Sequence, residues 1–186
     1  MEFSFGGVVL IVLIVATVWF IVTYNRFIQR KNGVREAWSG IDVQLKRRHN
    51  LIPNVVETVK GYATHEQSTL NTLTELRAGA ADDRDVAKVA AHESILSRAL
   101  GNIFAVAENY PDLKANATFL DLQQKLSETE EQVQLARRYY NGTVRDWNIM
   151  VESFPSNLIA SIFRFRLAEF FEIELATERA VPQVKF

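Results

Sequence analysis

The chain has 186 residues, with 21 basic and 22 acidic side chains and a formal net charge of −1. This balance argues against a nucleic-acid partner, because proteins that bind nucleic acid usually carry an excess of Lys and Arg. Cysteine is absent, which excludes disulfides and thiolate metal sites. The length allows one domain with one core after the first 25 residues.

The first element is an apolar segment from Phe5 to Val22, and no charged residue lies between Glu2 and Arg26. A helix of roughly 20 such residues spans a hydrocarbon layer of about 30 Å and satisfies its own backbone amides. The sequence therefore predicts a transmembrane anchor over residues 1–25 and a helical domain over residues 26–186.

A cleaved signal peptide is the alternative for this segment. Its start carries Glu2 in place of basic residues, and Trp19 and Phe20 stand where small residues would be needed for cleavage. The apolar run is also longer than an ordinary signal-peptide core. These features favour an uncleaved anchor.

The residues that flank the anchor predict its orientation. Trp19 and Tyr24 are expected near one headgroup boundary, followed by Arg26, Arg30 and Lys31. Because positive charge tends to remain in the cytoplasm, we expect a single-pass protein of the bacterial inner membrane with its N-terminus outside and its body in the cytoplasm.

The next segment has the 3.6-residue period of an amphipathic helix. Pro53 interrupts it, so we expect a kink or a break there. Leu70, Leu73 and Leu76 continue the apolar stripe to about Gly79. The predicted buried face before that is Trp38, Ile41, Leu45, Ile52, Val55, Val59 and Tyr62.

A loop is predicted over residues 79–85, where glycine can end one helix and aspartate can begin the next. The following helix should run from Asp85 to Asn109, and Pro111 should stop it. Its predicted buried stripe is Ile95, Leu96, Leu100, Ile103, Phe104 and Ala107.

The longest periodic run begins near Ala115 and continues through the possible weak point at Asn141 and Gly142. Its length, about 60 Å if helical, predicts an all-α, elongated antiparallel four-helix bundle. The apolar positions are Phe119, Leu122, Leu126, Val133, Ala136, Tyr140, Val144, Trp147, Val151 and Phe154, with polar Thr129 intervening.

An aromatic segment follows Pro155, with Phe163, Phe165, Phe170 and Phe171 set among charged residues. We expect a short helix that packs back on the bundle. The alternative is an exposed patch that contacts a membrane or a partner.

A polar patch precedes Pro53. Asp42 and Lys46 are spaced for an ordinary i, i+4 ion pair. Arg47 and Arg48 are candidates for an interaction surface, although a solvated or internally paired face is the favoured interpretation.

Two of the histidines have the acidic neighbours that a metal site could use. His65 and His92 are each followed by glutamate, Glu66 and Glu93, but neither begins the two-histidine zinc-protease motif. A site between two helices would need carboxylates at a different spacing. The sequence thus predicts no catalytic residue, metal or cofactor, while a cryptic metal enzyme using these four residues stays open as the least favoured alternative.

Several long segments closely resemble the LemA family. They are REAWSGIDVQLKRRHNLIPN at 35–54, VETVKGY at 56–62, HE at 65–66, YPDLKAN at 110–116, ARRYYN at 136–141 and FPSN at 154–157. The resemblance implies a bacterial membrane protein with one N-terminal span and an elongated helical bundle. It supplies no catalytic or ligand-binding residues.

The functional hypothesis is a non-enzymatic scaffold that is anchored to the lipid bilayer and either self-associates or docks another membrane or cytoplasmic protein. The alternative is a module that binds lipid or a small ligand at the membrane surface.

Overall fold

A computed structural model describes residues 5–62, 67–79 and 85–172, and every regular element within these ranges is a helix. The prediction of an all-α protein is confirmed for these residues. The helices are α1 (Phe5–Lys60), α2 (Gln67–Gly79), α3 (Val86–Ala107), α4 (Pro111–Lys114), α5 (Ala117–Glu152) and α6 (Ser156–Ile162).

The chain forms two compact units, which are described separately. Unit 1 contains the described residues of Met1–Ser39 and Tyr139–Ala168. Unit 2 contains those of Gly40–Arg138 and Glu169–Phe186. Helices α1 and α5 each contribute residues to both units.

Helices α1, α2, α3 and α5 all contribute to an apolar core in unit 2. Asp85 begins α3 as its N-cap, since its carboxylate accepts hydrogen bonds from the amides of Ala87 and Lys88. The core residues are Ile52, Val55, Val56, Val59, Leu70, Leu73, Leu96, Ala99, Leu100, Ile103, Ala107, Leu113, Phe119, Leu122 and Leu126.

Helix α1 continues through Pro53 without a break. A proline inside a helix costs about 3 kcal/mol, because a backbone hydrogen bond is lost and the ring crowds the preceding turn. Ile52, Val55 and Val59 surround this position and are at most 1 % exposed. Since each such side chain contributes about 1.5–3 kcal/mol on burial, the core outweighs the cost of the proline.

Three predicted apolar positions are wrong. Ile95 is 44 % exposed, Tyr62 is 41 % exposed and Phe154, beyond the end of α5, is 80 % exposed. Conversely, Thr129 is buried at the seam of α5, where its hydroxyl donates to the Lys125 carbonyl at 2.7 Å. A threonine can occupy an apolar seam when its hydroxyl donates a hydrogen bond to a carbonyl of its own helix.

Unit 1 has a smaller core that joins α1, α5 and α6. Phe27, Trp147, Ile159 and Ala160 are its buried members. The predicted seam position of Trp147 is confirmed, since this side chain is 5 % exposed. Helix α5 continues through Asn141 and Gly142 without interruption.

The N-terminal part of α1 is different from both cores. Its most apolar 18-residue window has a mean hydropathy of 2.8, and none of that window is buried. The Thr17 hydroxyl donates to the Leu13 carbonyl at 2.8 Å, so its hydrogen bond is made within the helix. This part of α1 is long and apolar enough to cross a membrane.

The chain after α6 departs from the prediction of a short aromatic helix. Helix α6 ends at Ile162, before Phe163, and residues 163–172 form no helix. Arg164 has a φ of 55°, which is incompatible with continued helical geometry. The loop at 80–84 and the tail at 173–186 lie outside the described residues, as do His65 and Glu66.

Candidate functional site

A buried ionic cluster in unit 2 joins α1, α3 and α5. Arg48 donates to Glu93 Oε2 at 3.2 Å and to Ser97 Oγ at 2.8 Å, and it forms an ion pair with Glu130 Oε2 at 3.1 Å. The other oxygen of Glu93 lies 2.8 Å from Nε2 of His49. Arg48 is 4 % and Glu93 is 2 % exposed, so these two charges are almost fully removed from water.

Burial makes this cluster sensitive to the loss of any one member. Removing an ion from water costs several kcal/mol, and the cost is recovered only when its charge and hydrogen-bonding atoms are satisfied. Arg48 fulfils this condition through three partners and Glu93 through two. The cluster therefore fixes the pairing of three helices and leaves neither side chain free to act on a substrate.

The two arginines of the predicted interaction surface have different positions. Arg47 is exposed, whereas the guanidinium of Arg48 is turned into unit 2 and paired internally. The sequence favours a solvated or internally paired face, and Arg48 has the internal pairing, so it cannot form part of an exposed surface. The ordinary ion pair of Asp42 and Lys46 is present at 2.7 Å. A partner contact by Arg47 stays a prediction.

Arg48 occupies a seam position that the sequence analysis overlooked. Ile41, Leu45, Arg48, Ile52 and Val55 follow one another at steps of four, three, four and three, which is the spacing of one helical face. A pattern of apolar residues alone leaves a step of seven between Leu45 and Ile52, because arginine is not counted among them. The spacing alone contained the signal.

The hypothetical metal site does not assemble from the residues that the structure describes. Glu93 is engaged with Arg48 and His49, and His92 is half-buried with no hydrogen-bond partner for its Nδ1 atom. Within residues 5–62, 67–79 and 85–172, no group of three potential ligands is placed to hold a metal ion. His65 and Glu66 lie outside the described residues.

An open groove of about 470 Å³ lies beside the ionic cluster. Its walls combine polar and apolar side chains from three helices of unit 2. They include Arg48, Ser97, Gly101, Phe104, Gln123 and Glu130.

Unit 1 contains an aromatic cluster at the end of the apolar segment. The rings of Tyr24 and Phe163 lie 4.6 Å apart between centroids, and those of Phe27 and Phe165 lie 4.8 Å apart. Trp147 contacts both Phe27 and Phe165 edge-on. Such pairs add about 0.5–1.5 kcal/mol each beyond the burial of their area.

Hydrogen bonds hold the segment after α6 in place. The indole Nε1 of Trp147 donates to the carbonyl of Arg166 at 2.8 Å. The amide side chain of Asn148 donates to the carbonyl of Ala168 at 3.0 Å and accepts from its amide at 2.8 Å. The non-helical backbone is therefore satisfied by side chains of α5.

The four predicted aromatic residues divide between exposed and buried positions. Phe163 and Phe170 are 42 % and 40 % exposed, Phe165 is half-buried, and Phe171 is fully buried in unit 2. The segment therefore contains both packed and exposed aromatic side chains, and the four residues are not all available to a partner. A role in binding stays a prediction.

A second groove, of about 840 Å³, lies in unit 1 between α1 and the junction of α5 with α6. On α1 it is lined by Trp19, Thr23, Arg26 and Arg30, which recur at helical spacing, together with Gln29. The opposite wall contains Asp146, Ile149, Met150, Ser153, Pro155 and Ser156.

These features define an all-helical protein whose N-terminal helix can span a membrane. A family model described as the LemA family matches residues 37–186. The chain belongs to the LemA family, and the resemblance found in the sequence is confirmed.

Curated relatives include two differently named groups. "Magnetosome protein MamQ 2" of Paramagnetospirillum magneticum is 24 % identical over 94 % of this chain and 76 % of its own length. "Magnetosome protein MamQ" of Magnetospirillum gryphiswaldense is 21 % identical with the same coverage. "Protein LemA" of Metamycoplasma hominis is 26 % identical over 73 % of this chain and 63 % of its own length. None of these names is that of an enzyme.

Proposed function

We propose that this chain is a non-enzymatic scaffold of the bacterial inner membrane, held by one transmembrane helix and acting through protein docking or self-association. Its N-terminus lies outside and its helical body in the cytoplasm. The observation that carries the proposal is the apolar window of α1, which has the hydropathy of a span and no buried residue. Such a surface is stable only when lipid covers it.

The body that this anchor holds is proposed to be an elongated antiparallel four-helix bundle. Support comes from the shared core, since α1, α2, α3 and α5 all place side chains in one apolar cluster of unit 2. A body of this kind offers helix surfaces to a partner and requires no bound group for its stability.

The use of ionisable residues supports a non-enzymatic role. Arg48 and Glu93 are buried, His49 is largely buried, and Glu93 contacts both of the other two side chains. Their contacts account for structural stability and leave no activated acid, base or nucleophile in this cluster. The names of the LemA and MamQ relatives agree with this interpretation.

Photo-crosslinking in cells tests the docking proposal. A photo-reactive residue is placed in the full-length chain at Tyr139, which is 62 % exposed, or at the buried control position Val144, which is 0 % exposed. We expect a discrete crosslinked species from exposed helix positions such as 139, 43 and 135, and none from 144. A chain that yields no such species from any of these exposed positions and runs strictly as a monomer in detergent would contradict the proposal.

Orientation requires a separate experiment. Reporter fusions after residue 186 should be active only with a cytoplasmic reporter. Activity of a periplasmic reporter alone would reverse the proposed topology while leaving the anchor intact.

A second candidate function is small-ligand binding, favoured by the groove beside Arg48. Gly101 lines this groove and has open space where a Cβ would lie. Gly101→Leu should displace a co-purifying ligand, as read by native mass spectrometry of the full-length chain. Gly40→Leu is the matched control, because Gly40 is also helical with open space and lies outside the groove. Equal spectra for wild type and Gly101→Leu would oppose this function.

A further inference from the structure

The unit 1 groove lies at the end of the proposed span, and its depth can be estimated from α1. Val22 ends the apolar run, and Arg26 follows one helical turn later, about 6 Å along the axis. The headgroup layer on each side of a bilayer is about 5–7 Å thick. Arg26 therefore lies at the level of lipid phosphates, and Trp19 lies at the boundary of the hydrocarbon.

Contacts within unit 1 place the opposite wall at the same depth. Phe163, directly after α6, lies 6.0 Å from Phe20 and 4.6 Å from Tyr24 between ring centroids. Leu158 and Ile162 of α6 are 54 % and 65 % exposed. The apolar side chains of α6 therefore extend the exposed apolar surface of the span into the boundary layer.

The charge of the groove is positive. Arg30 pairs with Asp146 at 3.0 Å, and Arg145 binds the other oxygen of the same carboxylate at 3.2 Å. Arg26 has no ion pair within the part of the chain that the structure describes, and it is exposed on the groove wall. The groove lining therefore holds two guanidinium groups, Arg26 and Arg30, and one carboxylate, Asp146, so it has a net charge of +1. Arg145, which lies outside the lining, also contacts that carboxylate.

The lining suits an amphiphilic anion. Arg26 and Arg30 can donate to phosphate oxygens, while Ile149, Met150 and Pro155 form an apolar wall beside them. We propose that this groove binds the headgroup of an anionic phospholipid from the leaflet at the C-terminal end of the span. The inference rests on the proposed membrane span but does not depend on protein docking.

Native mass spectrometry of the full-length chain in a mild detergent tests the proposal. The protein is titrated with phosphatidylglycerol or with phosphatidylcholine of the same acyl chains. We expect preferential retention of phosphatidylglycerol, because the choline group of the other lipid offsets its phosphate charge. Arg26→Gln should weaken phosphatidylglycerol binding about fivefold, which corresponds to about 1 kcal/mol for one basic side chain at a membrane surface.

Two further variants distinguish binding of the lipid in the groove from general attraction of the lipid by the basic charge of α1. Lys31→Gln removes the same charge from α1 at a position outside the groove lining, and should retain wild-type binding. Ser153→Phe leaves every charge in place and fills the groove with an exposed side chain, so it should reduce binding as Arg26→Gln does. Equal loss in Arg26→Gln and Lys31→Gln, or full binding by Ser153→Phe, would overturn the proposal.

Inorganic phosphate distinguishes lipid from a soluble phosphate compound. Millimolar phosphate should fail to displace phosphatidylglycerol. Displacement of the lipid by phosphate would identify a soluble anion as the occupant and overturn the lipid assignment.

Extraction of membranes with alkaline carbonate distinguishes failure of the proposed membrane span from failure of the proposed lipid groove. Release of the chain would refute the span, whereas retention with equal binding of both lipids would refute the groove alone.

Discussion

Replacement of Arg48 by methionine is the sharpest test of the buried ionic cluster. The substitution removes the partner of Glu93 Oε2, the donor to Ser97 and the ion-pair partner of Glu130. Glu93 is then left 2 % exposed, with His49 as its remaining partner. Breaking a buried pair in this way costs about 3–5 kcal/mol.

The opposite substitution, Glu93→Gln, should cost less. Arg48 would retain Glu130 at 3.1 Å and Ser97 at 2.8 Å, so its charge would keep one ionic partner. We expect about 1.5–3 kcal/mol, which is the usual worth of a hydrogen bond to a charged group. We therefore predict that Arg48→Met lowers the free energy of unfolding more than Glu93→Gln does.

The assay is urea unfolding of the full-length chain in detergent, followed by helical circular dichroism. Lys46→Met is the matched control, because it also removes a positive charge from α1, two residues before Arg48. The Lys46 side chain is 71 % exposed. Its pair with Asp42 is worth about 0.3–0.5 kcal/mol. If Arg48→Met unfolded within 1 kcal/mol of wild type, or no more easily than Lys46→Met, the reasoning about burial would be refuted.

Three other predictions concern packing. Trp147→Ala should lower the free energy of unfolding by about 3–5 kcal/mol, and a change below about 1 kcal/mol in the same urea assay would show that this ring is not in a core. Asn148→Ala should accelerate trypsin cleavage after Arg166, because both hydrogen bonds between Asn148 and Ala168 are lost. An unchanged cleavage rate would show that the segment after α6 is held by its aromatic side chains alone. Leu96→Ala should cost about 2–5 kcal/mol and Ile95→Ala less than about 0.5 kcal/mol, and a reversal of this order would restore the face predicted from sequence.

The sequence predicted the helices well, because their apolar positions recur with the helical period. Leu96, Leu100, Ile103 and Ala107 are buried as predicted, and all are members of one core. The error at Ile95 has a simple cause. Adjacent apolar residues lie 100° apart on a helix, so only one of Ile95 and Leu96 can face the centre of the core.

The continuity of α1 could not be predicted from Pro53 alone. Local preference disfavours a proline inside a helix, but the decision depends on burial of side chains from distant parts of the sequence. Leu96 and Phe119 are members of the same core as Ile52 and Val55. Tertiary packing therefore decides against the break that the local signal at Pro53 allowed.

The candidate sites were harder to predict because they combine residues that are far apart in sequence. The sequence allowed either a solvated or an internally paired face for Arg48, and its partners on α3 and α5 carried no local signal that decides between the two. The aromatic residues Phe163 and Phe165 were recognised from composition. Their contacts with Tyr24 and Phe27 require a chain reversal of roughly 140 residues, which periodicity does not encode.

That reversal has a consequence for synthesis of the protein. Tyr24 and Phe27 are made early, together with the apolar segment. Phe163, Phe165 and the rest of the segment after α6, up to Ala168, are among the last described residues to be made. Chains are translated at about 5–20 residues per second, so the two sides are separated by about 7–28 s. The aromatic contacts of unit 1 therefore form only after α1 has been made in full, and α1 spends that interval without its aromatic partners.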